Sequence, residues 1–317
     1  MSASNEMLGC IAERSAVMQR QEDRIYTCRD YLLRRKKDRK ENRPSSPELC
    51  ATPSDSKCEY DSTDVDEVCR QKMCEWSYRI VDYYSASREI VAIAFSFLDR
   101  FLDKCHCDRT AFKLAAMTCL HLASKITSSK QFSVSTLAKL SRGEFDEKHI
   151  ADMENIILNT LGWHLHPPSV LSFLHHLCAA IPTTDERLRR RIFHHAVFFA
   201  ELSVLDYFFV PHKPSAIAIA AVLNAMEGID QSYLPQDAQQ TFLFNAKYLV
   251  GIVSPAKEAL QLLQQHLWNA YIQSSQSSYI TATPQSSPKY SAEDHSMECD
   301  PASVSQSPVS VAYPPNK

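Results

Sequence analysis

The sequence predicts an all-α protein: two successive sets of five helices, with an N-terminal helix before them and a disordered Ser/Pro-rich tail behind. Three observations carry this expectation. Apolar residues recur at three- and four-residue spacing through most of residues 66–271, the period at which one face of an α-helix meets a core. Residues that start or stop helices punctuate the pattern at ordinary helix lengths, among them Gly162, Pro167, Pro168, Pro214 and Pro255. Hydrophobic residues make up 44% of the 317, enough for two domains that each bury a core.

Residues 1–65 are expected to hold an N-terminal helix and a flexible linker. Residues 1–20 show no clear pattern, whereas 21–40 read as one amphipathic helix with Ile25, Tyr26, Leu32 and Leu33 as its apolar residues. Its end is the basic run RRKKDRK, residues 34–40. Two readings of that run stand side by side: cations that complement a helix C-terminal dipole, or a nuclear import signal. Residues 43–66 are rich in Pro, Ser, Asp and Thr and lack periodicity, as a linker does.

Residues 66–164 form the first set. Met73, Trp76, Ile80 and Tyr84 make one helical stripe, and Ile90, Ala94, Phe97 and Phe101 a second. Phe112, Ala116, Cys119 and Ala123 line a third helix, whose small residues let neighbours approach closely and mark it as the central one. A short helix near 133–141 precedes a long one over about 144–161, closed by Gly162.

Residues 165–271 form the second set. Pro167 and Pro168 suit a helix start, Thr183 with Glu186 suits a capping box, and Pro214 opens SAIAIAAVLNAM. Further helices are expected over about 236–250 and from Ser254 as N-cap to about Tyr271. From residue 272 to 317, Ser, Thr, Pro and Gln dominate and periodicity stops, so the tail cannot offset its ordering entropy by burial.

Composition excludes several functions. The five glycines stand alone, with no phosphate-cradling GxGxxG or GxxxxGK. The formal net charge is -3, and residues 51–272 hold 21 Lys/Arg against 25 Asp/Glu. A mildly acidic body is poorly suited to neutralising a phosphate backbone, so no nucleic-acid partner is expected. Eleven cysteines, several inside helical patterns and without a hydrophobic N-terminal signal segment, fit reduced thiols. Cys105-His106-Cys107 offers metal ligands, but a tetrahedral site needs four at paired spacings and no second pair stands nearby. A solvated interhelical loop is the alternative, and neither metal nor cofactor is expected. No apolar run approaches the ~20 residues of a membrane span, so no membrane partner is expected.

Charged residues inside the apolar stripes are more telling. Arg70 in the first helix and Asp99 at the end of the second are costly to bury unless they meet, so together they read as a structural clamp. Lys125 and Glu154 each sit beside an apolar face, 29 positions apart. Spacing alone allows a surface ion pair worth about 0 to 1 kcal/mol or a pair reserved for a partner.

The wording around these residues resembles the cyclin box. CRQKMCEW supplies Arg70 and Trp76, FLDRFL supplies Asp99, KLAAMTCLHLASK supplies Leu114 and Lys125, and DMENIILNTLGW supplies Glu154, with no insertion needed between Trp76 and Trp163. Residues 66–164 are similar to an N-terminal cyclin box, and residues to about 271 more loosely to a second cyclin fold. REIVAIAFSFLDRFL is similar to D-type, G1-like cyclins and to the diatom-type group. The resemblance implies a nucleo-cytoplasmic, non-enzymatic subunit that binds and activates a cyclin-dependent kinase in cell-cycle control. It implies that Lys125 and Glu154 reach main-chain groups of the kinase, that Arg70 and Asp99 are internal, and that Leu114 is box core. A cyclin-fold transcription or adaptor scaffold, of the TFIIB or retinoblastoma-pocket kind, is the alternative.

Departures from the family pattern matter too. The groove that docks Arg-x-Leu motifs in many cyclins corresponds here to Cys69, Lys72, Met73, Trp76, Phe112 and Lys113, and lysine at 72 interrupts its aliphatic character. The Leu-x-Cys-x-Glu motif of many D-type cyclins is absent. Ser46, Thr52, Thr283, Ser287 and Ser307 each precede proline in segments expected to be flexible. With Glu293, Asp294, Glu298 and Asp300 the tail resembles a phosphorylation-dependent turnover segment that engages a ubiquitin ligase. Arg29-Asp30-Tyr31-Leu32 matches a minimal destruction motif, on a helix where chance matches are common.

Overall fold

The computed structural model describes residues 2–41, 65–127, 132–230 and 233–274, with side chains from residue 9 onward and not for 38–41. Its helices are α1 (Ser2–Arg24), α2 (Tyr31–Glu41), α3 (Glu67–Tyr83), α4 (Glu89–Lys104), α5 (Arg109–Thr127), α6 (Val134–Leu140), α7 (Glu147–Leu161), α8 (Val170–Leu177), α9 (Glu186–Leu205), α10 (Pro214–Glu227), α11 (Ala238–Tyr248) and α12 (Lys257–Gln273). Two compact units divide the chain: Val17–Ser169 with Val204–Pro214, and Met1–Ala16 with Val170–Ser203 and Ser215–Lys317. Residues 17–41 therefore belong with the first helical set.

In the unit of Val17–Ser169, α5 is the centre. It is buried at every position from Leu114 to Ser124, and α3, α4, α6 and α7 pack against it. Ala115, Ala116, Cys119 and Ala123 allow that encirclement because none holds a neighbour away. The expected α4 stripe, Ile90, Ala94, Phe97 and Phe101, is buried, each large side chain contributing roughly 1.5–3 kcal/mol. Local chemistry sets the helix ends. Asp66 accepts from the Cys69 N–H, Ser133 from that of Thr136, and Asp146 forms a reciprocal capping box with His149. Gly162 closes α7 at φ 59°, in the left-handed region that favours glycine.

In the other unit, α10 is the counterpart of α5, buried at every position from Ser215 to Met226. Asn224 inside it donates to the Gln264 carbonyl of α12 at 2.9 Å. Phe199 of α9 stacks on Trp268 at 6.2 Å and Ser15 of α1 meets His176 of α8 at 2.8 Å.

Several expectations are corrected. Residues 1–20 are helical, and the single helix expected over 21–40 is two, α1 and α2. They are separated where Asp30 accepts from the Leu33 N–H at 2.9 Å and starts α2 afresh. The α3 stripe is rotated: of Met73, Trp76, Ile80 and Tyr84 only Ile80 is buried, and the core face is Arg70, Cys74, Ser77, Tyr78, Ile80 and Val81. At α9 the side chain that accepts from a helix N–H is Asp185, from Arg187 at 2.8 Å, and not Thr183. The N-cap of α12 is Ala256, while the Ser254 hydroxyl bonds locally to the Pro255 carbonyl.

Candidate functional site

A buried polar network anchors the unit around α5. Arg70 grips Asp99 bidentately, Nε to Oδ1 at 2.9 Å and Nη2 to Oδ2 at 2.8 Å, with side chains only 3% and 8% exposed. Its third donor, Nη1, reaches the Val204 carbonyl at 2.8 Å. The Phe95 ring lies 5.0 Å from the guanidinium carbon. Tyr31, the first residue of α2, donates to Asp99 Oδ1 at 3.0 Å. Tyr207 donates to Asp30 and accepts from the Leu32 N–H, both at 3.0 Å. Burial opposes the Arg70 charge, yet the Asp99 carboxylate outweighs it and holds the arginine above its ordinary range. Burial, and next the Asp99 charge, push Tyr31 up, so its hydroxyl stays a donor. These tyrosines were missed by sequence reasoning, since neither lies near Arg70 or Asp99 in sequence.

A second constellation is exposed. Lys125 Nζ donates to Glu154 Oε1 at 2.6 Å, with side chains 41% and 16% exposed. Behind them His121 Nδ1 donates to the Phe132 carbonyl at 2.6 Å, so its Nε2 faces Glu154 Oε2 at 3.8 Å. Ser124 accepts from the Phe132 N–H at 3.3 Å. Burial lowers the His121 pKa against the raising effects of Phe132 and Glu154. Tyr84, at the end of α3, packs on Phe132 with ring centroids 5.4 Å apart. The ends of α3 and α5 and the middle of α7 thus present a cation and an anion at fixed separation. Their supporting residues, His121, Phe132 and Tyr84, were not singled out from sequence. The His121 to Lys125 interval of four in HLASK was the available signal.

The family models for the N-terminal and the C-terminal cyclin domains match residues 17–166 and 168–299. The chain belongs to the cyclin family. This cyclin is 26% identical over 183 residues to G1/S-specific cyclin-D1 of Mus musculus, covering 58% of this chain and 61% of that one. With Cyclin-A2-1 of Oryza sativa subsp. japonica the identity is 25% over 188 residues, covering 59% of this chain and 38% of that one. The chain therefore aligns over less than two thirds of either relative's length. The X-ray structure of a viral cyclin from herpesvirus saimiri superposes with a TM-score of 0.55 at 19% identity, covering 67% of this chain and 87% of that one. At that identity the likeness is one of fold.

The remaining candidate residues of this cyclin are less concentrated. Leu114 is buried, 8% exposed. Of the groove positions, Cys69, Met73 and Trp76 are half-buried and Lys72 is exposed. Phe112 departs from the expectation: at 1% exposure it faces the core of α5's packing and offers no groove surface. Lys113 is engaged by Glu144 at 3.0 Å. Leu32 of the Arg29-x-x-Leu32 motif is also core, 5% exposed. The basic run begins by capping another helix: Arg34 binds Asp103 through its carboxylate and carbonyl, and Arg35 donates to the Leu102 and Cys105 carbonyls at 2.7 Å. These are the orphan acceptors at the end of α4, so Arg34 and Arg35 complement the dipole of α4.

Cys105 is half-buried and Cys107 buried, its thiol pushed up to about 11 by burial. Among the described residues no group of three or more His, Cys, Asp or Glu is gathered as metal ligands, and no helix is long and apolar enough to cross a membrane. A cavity of about 240 Å³ is lined by Arg100, Asp103, Lys104 and His164 among others. Its cations are committed to carbonyls around the end of α7, Arg100 to His164 at 3.1 Å and Lys104 to Thr160 at 2.8 Å. The tail expected to be disordered from residue 272 begins inside α12, which runs to Gln273; its residues 275–317 and the phosphorylation candidates Ser46, Thr52, Thr283, Ser287 and Ser307 lie outside the described residues.

Proposed function

We propose that this cyclin is the regulatory subunit of a cyclin-dependent Ser/Thr kinase, of G1 type in cell-cycle control, and contributes no catalytic chemistry of its own. The observation that carries this reading is the Lys125–Glu154 pair, partly exposed and held 2.6 Å apart by buried helices. An ammonium seeks carbonyls, which are unpaired at the C-terminal end of a partner's helix, and a carboxylate seeks N–H groups, which are unpaired at the N-terminal end. Hydrogen bonds to charged groups are the stronger kind. A rigidly spaced donor and acceptor therefore favour one placement of a partner backbone over others. A kinase bound this way shifts toward the conformation that fits, and the phosphoryl transfer remains its own. The similarity to the G1/S-specific cyclin-D1 of Mus musculus supports the G1 assignment.

Two further parts of the proposal rest on sequence. The basic run 34–40 fits passage between nucleus and cytoplasm, and the acidic, Ser/Pro-rich tail fits capture by a ubiquitin ligase after phosphorylation.

The test pairs thermal melts with titration against a co-purified cyclin-dependent kinase. Lys125→Ala and Glu154→Ala are expected to leave folding stability within ~0.5 kcal/mol while weakening association roughly 10- to 100-fold, since each charged hydrogen bond contributes about 1.5 to 3 kcal/mol. Parent-like binding and activation by both variants would hand the role to the scaffold reading.

A further inference from the structure

One face of the unit built on α10 gathers arginines and imidazoles with no acidic partner among the described residues. Arg14 of α1, His175 and His176 of α8, and Arg191, His194 and His195 of α9 all belong to that unit. The Phe193 ring lies 5.0 Å from His175 and 6.1 Å from His194, and His176 Nδ1 meets Ser15 Oγ, next to Arg14, at 2.8 Å. Arg191 and His195 are four apart on α9 and so share a helix face. Of the two acids on α9, Glu186 is spent on Arg189 at 2.6 Å and Arg190 at 3.5 Å, and Glu201 is engaged with a group outside this face. Among the described residues no carboxylate lies within ion-pair distance of these two arginines and four imidazoles. His195 Nδ1 is buried without a hydrogen-bond partner. Burial first, then Arg14 and His175 for His176, and Arg191 and His194 for His195, lower both imidazoles, and no carboxylate opposes them.

The chain carries an anionic stretch in sequence beyond α12, and the last turn of α12 packs on α9. Tyr271, in the last turn of α12, packs on Phe198 at 5.8 Å and Phe199 at 5.6 Å. Those rings follow His194 and His195 by four positions, about one helical turn or ~5.4 Å along α9. Beyond Ser274 the sequence carries Glu293, Asp294, Glu298 and Asp300 against Lys289 and Lys317 alone. Even at random-coil dimensions the roughly 20 residues from Ser274 to Glu293 span about 25 Å. Tethering at that reach corresponds to a millimolar effective concentration.

We propose that the acidic stretch of residues 293–300 docks on the arginine–imidazole face of α1, α8 and α9 as its intramolecular counter-charge. The occupant is identified by charge complementarity and by where α12 ends, and the docking does not depend on kinase binding.

The experiment compares two full-length proteins, the parent and a variant with Glu293→Gln, Asp294→Asn, Glu298→Gln and Asp300→Asn, by NMR titration of His175, His176, His194 and His195 at low ionic strength. Nearby carboxylates favour the charged imidazole, so the parent is expected to titrate at higher pH than the variant. About 1 M salt, with a Debye length of ~3 Å, is expected to abolish the difference. Introducing Arg191→Glu, on an exposed side chain, into both proteins is expected to shrink it. Identical midpoints in parent and variant at low salt would overturn the docking. So would midpoints that ignore the tail substitutions and move only when a separate acidic peptide is added, an outcome that would assign the face to another chain.

Discussion

The Tyr31 hydroxyl donates to Asp99 Oδ1 at 3.0 Å, the same oxygen that receives Arg70 Nε at 2.9 Å. The start of α2 is thereby fastened to the ion pair that joins α3 to α4, and three donors converge on one carboxylate. Removing any of them is expected to cost more than a surface contact does, because the remaining groups stay buried.

Arg70→Ala is expected to cost about 3 to 5 kcal/mol, since it strands a buried carboxylate. Tyr31→Phe, which deletes one charged hydrogen bond and keeps the ring, should cost about 1.5 to 3 kcal/mol. At roughly 2–4 °C per kcal/mol for a unit of this size, thermal melts separate the two. A melting temperature unchanged by Arg70→Ala would remove the clamp.

Exchanging the charges of the exposed pair, with Lys125→Glu and Glu154→Lys together, preserves the attraction within the chain. Folding stability is expected to stay within about 1 kcal/mol of the parent. Kinase association is expected to remain as weak as in the single alanine variants, because donor and acceptor have traded places. Titration with purified kinase decides the matter, and restored binding would mean that only the internal ion pair counts.

His121, His176 and His195 are all lowered, chiefly by burial. Around and below the ordinary imidazole value of about 6.5 the unfolded chain therefore binds more protons than the folded one. Stability accordingly rises with pH in that window. The stabilisation from neutral rings is complete above about pH 6.5 and is lost as pH falls below it. Urea midpoints should be lower at about pH 5.5 than at about pH 7.5, and His121→Gln should flatten part of the slope. Equal midpoints for the parent would contradict the burial argument.

Lys72 is exposed beside half-buried Met73 and Trp76. An Arg-x-Leu peptide meets a like charge there, so docking should be weak in the parent and tighter in Lys72→Leu. Peptide titration by fluorescence polarisation measures both. Micromolar binding to the parent, abolished by Trp76→Ala, would reverse the assignment.

Much of this was legible in the sequence where hydropathy and packing agree. The α5 stripe of Phe112, Ala116, Cys119 and Ala123 is apolar and fully buried, and the charges of Arg70 and Asp99 pair as burial requires. The face of α3 was misread because Arg70, Cys74 and Ser77 point inward, and a hydropathy pattern gives that face too little weight. The start of α2 was missed because a single Asp30 hydrogen bond creates it. Tyr31 and Tyr207 were invisible as partners because hydroxyl contacts leave no periodic trace. The pairing of Lys125 with Glu154 follows from their placement on α5 and α7, whereas the His121 and Phe132 support behind it depends on a turn that spacing does not encode.

Tyr207 accepts from the Leu32 N–H across 175 positions and donates to Asp30 across 177. During synthesis at about 5–20 residues per second, some 9 to 35 seconds separate the emergence of the two ends of this contact. Until Val204 and Tyr207 leave the ribosome, Arg70 Nη1 lacks its carbonyl and the entry to α2 lacks its hydroxyl. The unit that begins at Val17 is thus a vectorial folding problem: its earliest-made helices wait for its last eleven residues, Val204–Pro214. A message cut short between the two repeats would release a first repeat whose polar centre is unfinished, a natural substrate for chaperones.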